Sequence, residues 1–261
     1  MNYKSHSLTL LFFCINLFYC NATIINPPST LPEFNPNNTV FMFDVDDVLV
    51  ERNFWQNRKD YWNIIKECSA LDTIQFLSWH LIHATTFIDT IKHEDIEKYL
   101  DQQAQEWPFL LKETPQGTIL ERIKNAISKA TPKQETIDIL LNLHRRGFSI
   151  ALATNQASST LNRIIKNKVL PDSSHFIMLY TADYCHKETL IKKPQKEYYQ
   201  CFKSSLKEKG FEPNYFIFID DKYENVNASA KENILSIHFS NDKELENDLA
   251  TLGIHVSNDD K

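Results

Sequence analysis

The feature that most constrains this chain is a series of short apolar runs, each closed by polar residues and separated from the next by a polar segment of helix length. Beyond Gly147 the runs fall at 148–153 (FSIALA), 176–180 (FIMLY), 215–219 (YFIFI) and 234–239 (ILSIHF), with the intervening segments at about 157–168, 194–209 and 222–233. Apolar runs that lack polar alternation are the mark of strands buried on both faces. Alternated with helices, they specify a parallel sheet with right-handed crossovers and helices on both sides. An earlier run at 39–43 (TVFMF) has the same character and joins the same sheet most simply. The expected fold class is therefore α/β, a Rossmann-like parallel sheet.

The stretch between the first run and the others reads differently. From about 52 to 130 the chain is helical and rich in aromatics, with all four Trp and expected helices near 55–67, 70–89, 93–106 and 117–130, uninterrupted by strand-like alternation. It is an α-helical insertion, residues 52–130, between two parts of one core domain, 39–51 and 131–261. Thr131-Pro132-Lys133-Gln134 reads as an N-cap, a first-turn Pro and a capping-box Gln. The helix it opens turns Ile137, Leu140 and Leu141 inward and stops at Gly147.

The amino terminus reads as an address. Lys4 and His6 precede an apolar run at 8–19 broken only by Asn16, shorter than the roughly 20 residues of a bilayer-spanning helix. It has the length of a signal-peptide core, and Cys20 and Ala22 are spaced like a cleavage site. Residues 1–22 are expected to be a signal peptide cleaved near Ala22, giving an exported (periplasmic or secreted) protein with no stable membrane span. Lipid attachment through Cys20 is the second choice, because Tyr19 stands where a small residue is wanted. Residues 23–38, with four Pro, form an extended leader. Cys68, Cys185 and Cys201 then remain, without a CxxC spacing, and read as small buried hydrophobes, though sequence leaves one pairing open. With 28 Lys and Arg against 34 Asp and Glu, a net charge of −6 offers no basic field for a polyphosphate backbone, so nucleic acid is not an expected partner.

Ligands of open parallel sheets bind beyond the carboxyl ends of the strands. The first run ends in Asp44-Val45-Asp46-Asp47-Val48, the second in Thr154-Asn155, and the run at 215–219 in Asp220-Asp221, while Lys193-Pro194 is read as a helix start between them. Several carboxylates, one hydroxyl and one ammonium thus meet on one edge. Carboxylates crowded in a cleft repel, and a divalent cation relieves them. All-oxygen ligation suits Mg²⁺, which retains waters and shares a substrate phosphate. An added Lys and Thr are explained by an anionic substrate, and phosphoryl transfer needs this positioning and charge neutralisation. No glycine-rich phosphate loop competes, since neither GxGxxG nor GxxxxGK[ST] occurs.

Four motifs in this order, DVDDV at 44–48, ATN at 153–155, KKP at 192–194 and IDDKYENV at 219–226, resemble the haloacid dehalogenase superfamily of phosphohydrolases. The resemblance implies that Asp44 attacks phosphorus to form an aspartyl-phosphate and that Asp46 serves as acid and then base. It further implies that Thr154, Asn155 and Lys193 bind the phosphate. Mg²⁺ would sit among Asp44, the carbonyl of Asp46 and Asp221, with Asp220 in a water-mediated or supporting role and Asn225 orienting the loop. Dehalogenating members lack the second acid, so Asp46 favours phosphate esters. Asp47 stands where many members carry Gly, and the insertion occupies the place of the family's C1-type cap, which excludes water and selects the leaving group.

The expected function is an exported Mg²⁺-dependent phosphatase for a small phosphorylated substrate. A phosphomutase of the same superfamily and a non-catalytic binding protein that uses the aromatic insertion are the alternatives. His80 and His83 share a helix face but have no third ligand nearby, so they read as core or interface residues.

Overall fold

The computed structural model describes residues 24–25, 32–51, 96–127, 129–185 and 190–256, with positions 63–64, 66, 69, 72–75 and 78 between them. The expected signal peptide and its cleavage site, Cys68, His80 and His83, and most of the helices expected at 55–67 and 70–89 lie outside the described residues.

A parallel sheet organises the molecule. In chain order its strands are β1 (Ile24–Ile25), β2 (Thr39–Phe43), β7 (Ser149–Ala153), β8 (Met178–Tyr180), β9 (Tyr215–Asp220) and β10 (Leu235–His238), with β3 to β6 lying in smaller pairs described below. Across the sheet the order is β1-β10-β9-β2-β7-β8. The five strands other than β1 run parallel, and β1 pairs antiparallel with β10 at the edge. The segment expected as an extended leader therefore contributes a short edge strand, which its high Pro content obscures.

Both faces of the sheet are dry, and strict alternation decides which side chain goes where. Phe41, Phe43, Ile150, Leu152, Ile217 and Ile219 pack against Ile137, Leu140 and Leu143 of α3 (Gln134–Arg145), Leu161 and Ile164 of α4 (Ser158–Lys166) and Leu245 and Leu249 of α7 (Asp242–Thr251). Val40, Met42, Ala151, Ala153 and Phe218 pack against Tyr198, Tyr199, Phe202 and Leu206 of α5 (Lys196–Glu208) on the other side. A further core helix, α6 (Tyr223–Lys231), links β9 to β10.

Within the insertion, α1 (Ile96–Glu106) and α2 (Ile119–Ile127) flank a tight hairpin of β4 (Glu113–Thr114) and β5 (Gly117–Thr118). The all-helical expectation is corrected here. The turn has Gly117 at φ +103°, where an L side chain would be strained, and Thr114 Oγ1 donates to the Gly117 carbonyl at 2.6 Å. Leu100, Ala104, Phe109, Leu110, Ile119, Leu120 and Ile123 form a small core separate from those of the sheet.

Two expected helix starts are also corrected. Thr131 and Pro132 do not cap α3. They form β6 (Thr131–Pro132), which pairs antiparallel with β3 (Val50–Glu51), and α3 follows Lys133 without a side-chain cap. Lys133 N–H donates to the Leu49 carbonyl at 2.9 Å, continuing the contact between entry and exit strands. The long-range pairing partner outcompetes the local cap. Likewise α5 begins at Lys196 rather than at Lys193-Pro194, because the backbone of Lys193 is bound elsewhere, as described below. Gly147, at φ +88°, ends α3 as expected.

Candidate active site

Strand register builds the site. Phe43 is level with Leu152 on one side and Ile219 on the other, so the next residues, Asp44, Ala153 and Asp220, stand in a row at the carboxyl edge. Asp44 and Asp220 continue the parity of Met42 and Phe218 and fall on the face covered by α5. Asp44 N–H donates to the Ile219 carbonyl at 2.9 Å, holding the chain in sheet geometry up to the last residue before the turn.

The turn itself is tight. Leu49 and Val50 N–H both donate to the Val45 carbonyl, and Asp47 N–H donates to the Val50 carbonyl at 2.8 Å. Asp47 adopts φ +62°, a left-handed conformation that Gly, Asn and Asp enter most readily, which accounts for the exchange of Gly for Asp at this place.

Lys193 ties the row together. Its Nζ lies 2.8 Å from Asp44 Oδ1 and 2.6 Å from Asp220 Oδ2, and donates to the Ala153 carbonyl at 2.9 Å. All three charged side chains are buried, with exposures of 1%, 6% and 0% for Lys193, Asp44 and Asp220. Asp220 also accepts from Asn225 Nδ2 on both oxygens, at 2.9 and 3.0 Å, and from Lys222 N–H at 2.8 Å. Asp44 Oδ1 accepts from Val45 N–H at 2.7 Å.

Asn155 behaves differently from the expected phosphate ligand. Its Oδ1 accepts from Lys193 N–H at 2.7 Å and its Nδ2 donates to the Lys193 carbonyl at 3.1 Å, so its amide is committed to holding the Lys193 backbone. Thr154 is fully buried at the end of β7, with Oγ1 accepting from Gln156 N–H at 3.2 Å. Sequence reasoning passed over Tyr198 and Tyr199, whose hydroxyls donate to the carbonyls of Thr154 at 3.1 Å and Asn225 at 2.9 Å. The signal was available in a Tyr pair four residues beyond Pro194 on an otherwise polar helix.

One carboxylate oxygen each from Asp44, Asp220 and Asp221 lies within 4.8 Å of the others. Asp221 Oδ1 is buried with no hydrogen-bond partner among the described residues, and an orphaned carboxylate oxygen is costly unless something positive faces it. The donor set is all oxygen, which fits Mg²⁺. Asp46, half-buried on the turn, is outside this trio through its carboxylate, and the part expected of it in metal binding rests on its main-chain carbonyl.

Excess negative charge shows in the titration behaviour. Burial pushes the Asp44 carboxyl well above the ordinary carboxylate range, Lys193 pulls it back in part, and Asp220 and Asp46 push it further up. Burial likewise raises Asp221, with Asp220 adding to the effect. Burial alone would lower Lys193, but Asp44 and Asp220 more than offset it and the ammonium is held above its usual value. One cation thus faces more carboxylates than it can neutralise.

A parallel sheet with an acidic strand-end cluster and a buried lysine is an arrangement suited to a hydrolase of the α/β class. The chain belongs to the haloacid dehalogenase-like hydrolase family, whose model matches residues 41–239. Among solved structures of similar fold is a predicted HAD-like family hydrolase from Porphyromonas gingivalis, 16% identical, with 82% of this chain and 98% of that one aligned at a TM-score of 0.53. A HAD family enzyme from Bacteroides thetaiotaomicron, in complex with magnesium and inorganic phosphate, is 17% identical over 78% of this chain and 94% of its own, at a TM-score of 0.52. An L-2-haloacid dehalogenase is 16% identical over 76% and 82%, at 0.50. No curated protein sequence matches the chain. Among the described residues no helix is long and apolar enough to cross a membrane.

Proposed function

We propose that the protein is an exported, Mg²⁺-dependent phosphatase that hydrolyses a small phosphate monoester through Asp44. The observation that carries this reading is the second carboxylate, Asp46, two residues beyond Asp44 and close enough for its charge to raise the Asp44 pKa. An ester whose leaving oxygen must be protonated needs such an acid, and displacement of halide does not.

Asp44 Oδ1 is fixed by Val45 N–H and the Lys193 ammonium, which orients Oδ2 for attack. The Asp44 Oδ2–P bond forms as the P–O bond to the leaving group breaks, and Asp46 gives its proton to the departing oxygen. Asp46 then takes a proton from water, whose oxygen attacks phosphorus and releases Asp44 and inorganic phosphate. Lys193 and the Thr154 hydroxyl hold the phosphoryl oxygens throughout, and Asn155 keeps Lys193 in place. Magnesium held by Asp44, Asp221 and the carbonyl of Asp46, with Asp220 in support, would supply positive charge against the phosphoryl oxygens.

Residues 52–130 act in this reading as the lid that excludes water and chooses the leaving group. Export is supported by the disulfide between Cys185 and Cys201, a linkage that persists in oxidising compartments. For Cys185 and Cys201 it replaces the expectation of small buried hydrophobes with the pairing that sequence left open, since pairing is decided by tertiary packing. N-terminal sequencing of the mature protein should begin near residue 23, and an intact Met1 would rule export out.

The central test is release of phosphate from p-nitrophenyl phosphate with and without Mg²⁺, beside release of chloride from 2-chloropropionate. Phosphate release that requires Mg²⁺ is expected. Asp44→Asn should abolish it, and Asp46→Asn should slow it about 10²–10⁴-fold. Chloride release without phosphate release would overturn the reading.

A further inference from the structure

Cys185 and Cys201 lie eight residues to either side of Lys193, so their disulfide closes a covalent ring with the phosphate-binding lysine at its midpoint. Cys185 ends the described part of the segment that leaves β8, and Cys201 lies on α5, which starts three residues after Lys193. The two Cα atoms are 6.6 Å apart, within the span that a disulfide bridges.

The bridge touches the site through a short chain of contacts. The Tyr180 hydroxyl lies 3.0 Å from Cys185 Sγ and donates to the Tyr198 carbonyl at 3.0 Å. The Tyr198 hydroxyl in turn donates to the carbonyl of Thr154 at 3.1 Å. Tyr180 also packs edge-on against Tyr198 and Phe202, with ring centroids 4.8 and 5.1 Å apart. Lys193 itself is held by hydrogen bonds and ion pairs to Asn155, Ala153, Asp44 and Asp220, with its ammonium 5.3 Å from the centroid of the Phe218 ring. Its ammonium must be kept in a crowded row of carboxylates against the desolvation that burial imposes.

We infer that the Cys185–Cys201 disulfide is a positioning device for Lys193, so that phosphate binding depends on the thiol–disulfide state. This rests on the phosphatase reading. Reduction by a dithiol transfers two electrons and two protons: the S–S bond breaks, Cys185 and Cys201 become thiols, and the dithiol closes to its own disulfide. The residues between the cysteines then lose their covalent closure. Lys193 spends less time at the depth where it meets a phosphoryl oxygen. Small misplacements of a positioning group cost large factors in rate.

The test uses the full mature chain with Cys68→Ser, leaving Cys185 and Cys201 as its cysteine pair, in oxidised form and after dithiothreitol followed by alkylation. Reduction should raise KM for p-nitrophenyl phosphate and the inhibition constant of inorganic phosphate by about tenfold, with a smaller change in kcat. A general loss of folded protein would instead lower turnover at unchanged KM. Cys185→Ala/Cys201→Ala should reproduce the reduced form and lose its response to dithiothreitol. Hydrogen exchange over residues 190–197, where Lys193 N–H is bonded to Asn155, should speed up on reduction. That measurement needs no turnover, so it judges the positioning claim even if no phosphate ester is hydrolysed. Unchanged KM together with unchanged exchange, or two freely titrating thiols in the oxidised protein, would overturn the inference.

Discussion

Two polar clusters link separate segments of this molecule, and they are built on opposite principles. Lys193 with Asp44 and Asp220 is buried to within a few per cent. In the other, Arg163 on α4 reaches the insertion, donating to Glu121 Oε2 at 3.1 Å and Asn125 Oδ1 at 3.0 Å, with Glu121 49% exposed. Charges taken out of water are costly unless every partner is present, so the first cluster is stiff and intolerant of loss. Charges left in water contribute little and exchange partners easily. In the proposed reading, the core needs the first property where phosphorus would be attacked, and an inserted segment that would admit substrate needs the second.

The comparison is broken most severely by Lys193→Met, which leaves Asp44 and Asp220 without their shared cation. Phosphate release should vanish and stability should fall by about 3–5 kcal/mol, read from denaturant unfolding. A loss below about 1 kcal/mol would mean that the triad is no stiffer than the surface cluster.

An intermediate case lies between them. Asp183 accepts from Ser158 N–H at 3.0 Å and Ser158 Oγ at 2.7 Å, capping α4 from a distant loop. Burial opposes ionisation of Asp183, but the Ser158 and Thr181 bonds prevail and hold it below the ordinary value of 3.8. Asp183→Asn should cost about 1 kcal/mol near neutral pH. The native carboxylate binds fewer protons than the unfolded one, so its contribution is present above 3.8 and lost as pH falls through the lower folded value. The gap between wild type and variant, followed by thermal unfolding, should therefore stay flat through neutrality and shrink in acid.

The smallest effect is expected for Arg163→Ala, under about 1 kcal/mol and weaker still in high salt. A cost that salt does not diminish would show that this contact is as rigid as the buried one.

How much of this could be read from the chain follows the same division. Asp44, Thr154 and Asp220 were legible because a buried parallel strand is an unbroken apolar run, and the first polar residue after it marks the ligand edge. The end of α3 was legible because Gly147 takes a conformation that a side chain resists. Features set by distant partners were not. Thr131-Pro132 carries every local sign of a helix start, yet it pairs with Val50–Glu51. Lys193-Pro194 looks like a first turn, yet Asn155 occupies both backbone groups of Lys193. The link between Cys185 and Cys201 depends on α5 packing under β8, which spacing does not encode. The hairpin at Glu113–Thr118 did carry a local sign, Pro115-Gln116-Gly117, overshadowed by the helical pattern around it.

The pairing of β3 with β6 has an evolutionary consequence. Because the outgoing and returning chains lie side by side, about 5 Å apart as neighbouring strands do, whatever is spliced between them leaves the scaffold undisturbed. Descendants of such a gene could trade one insertion for another, in length and in shape, while inheriting the same sheet beneath it.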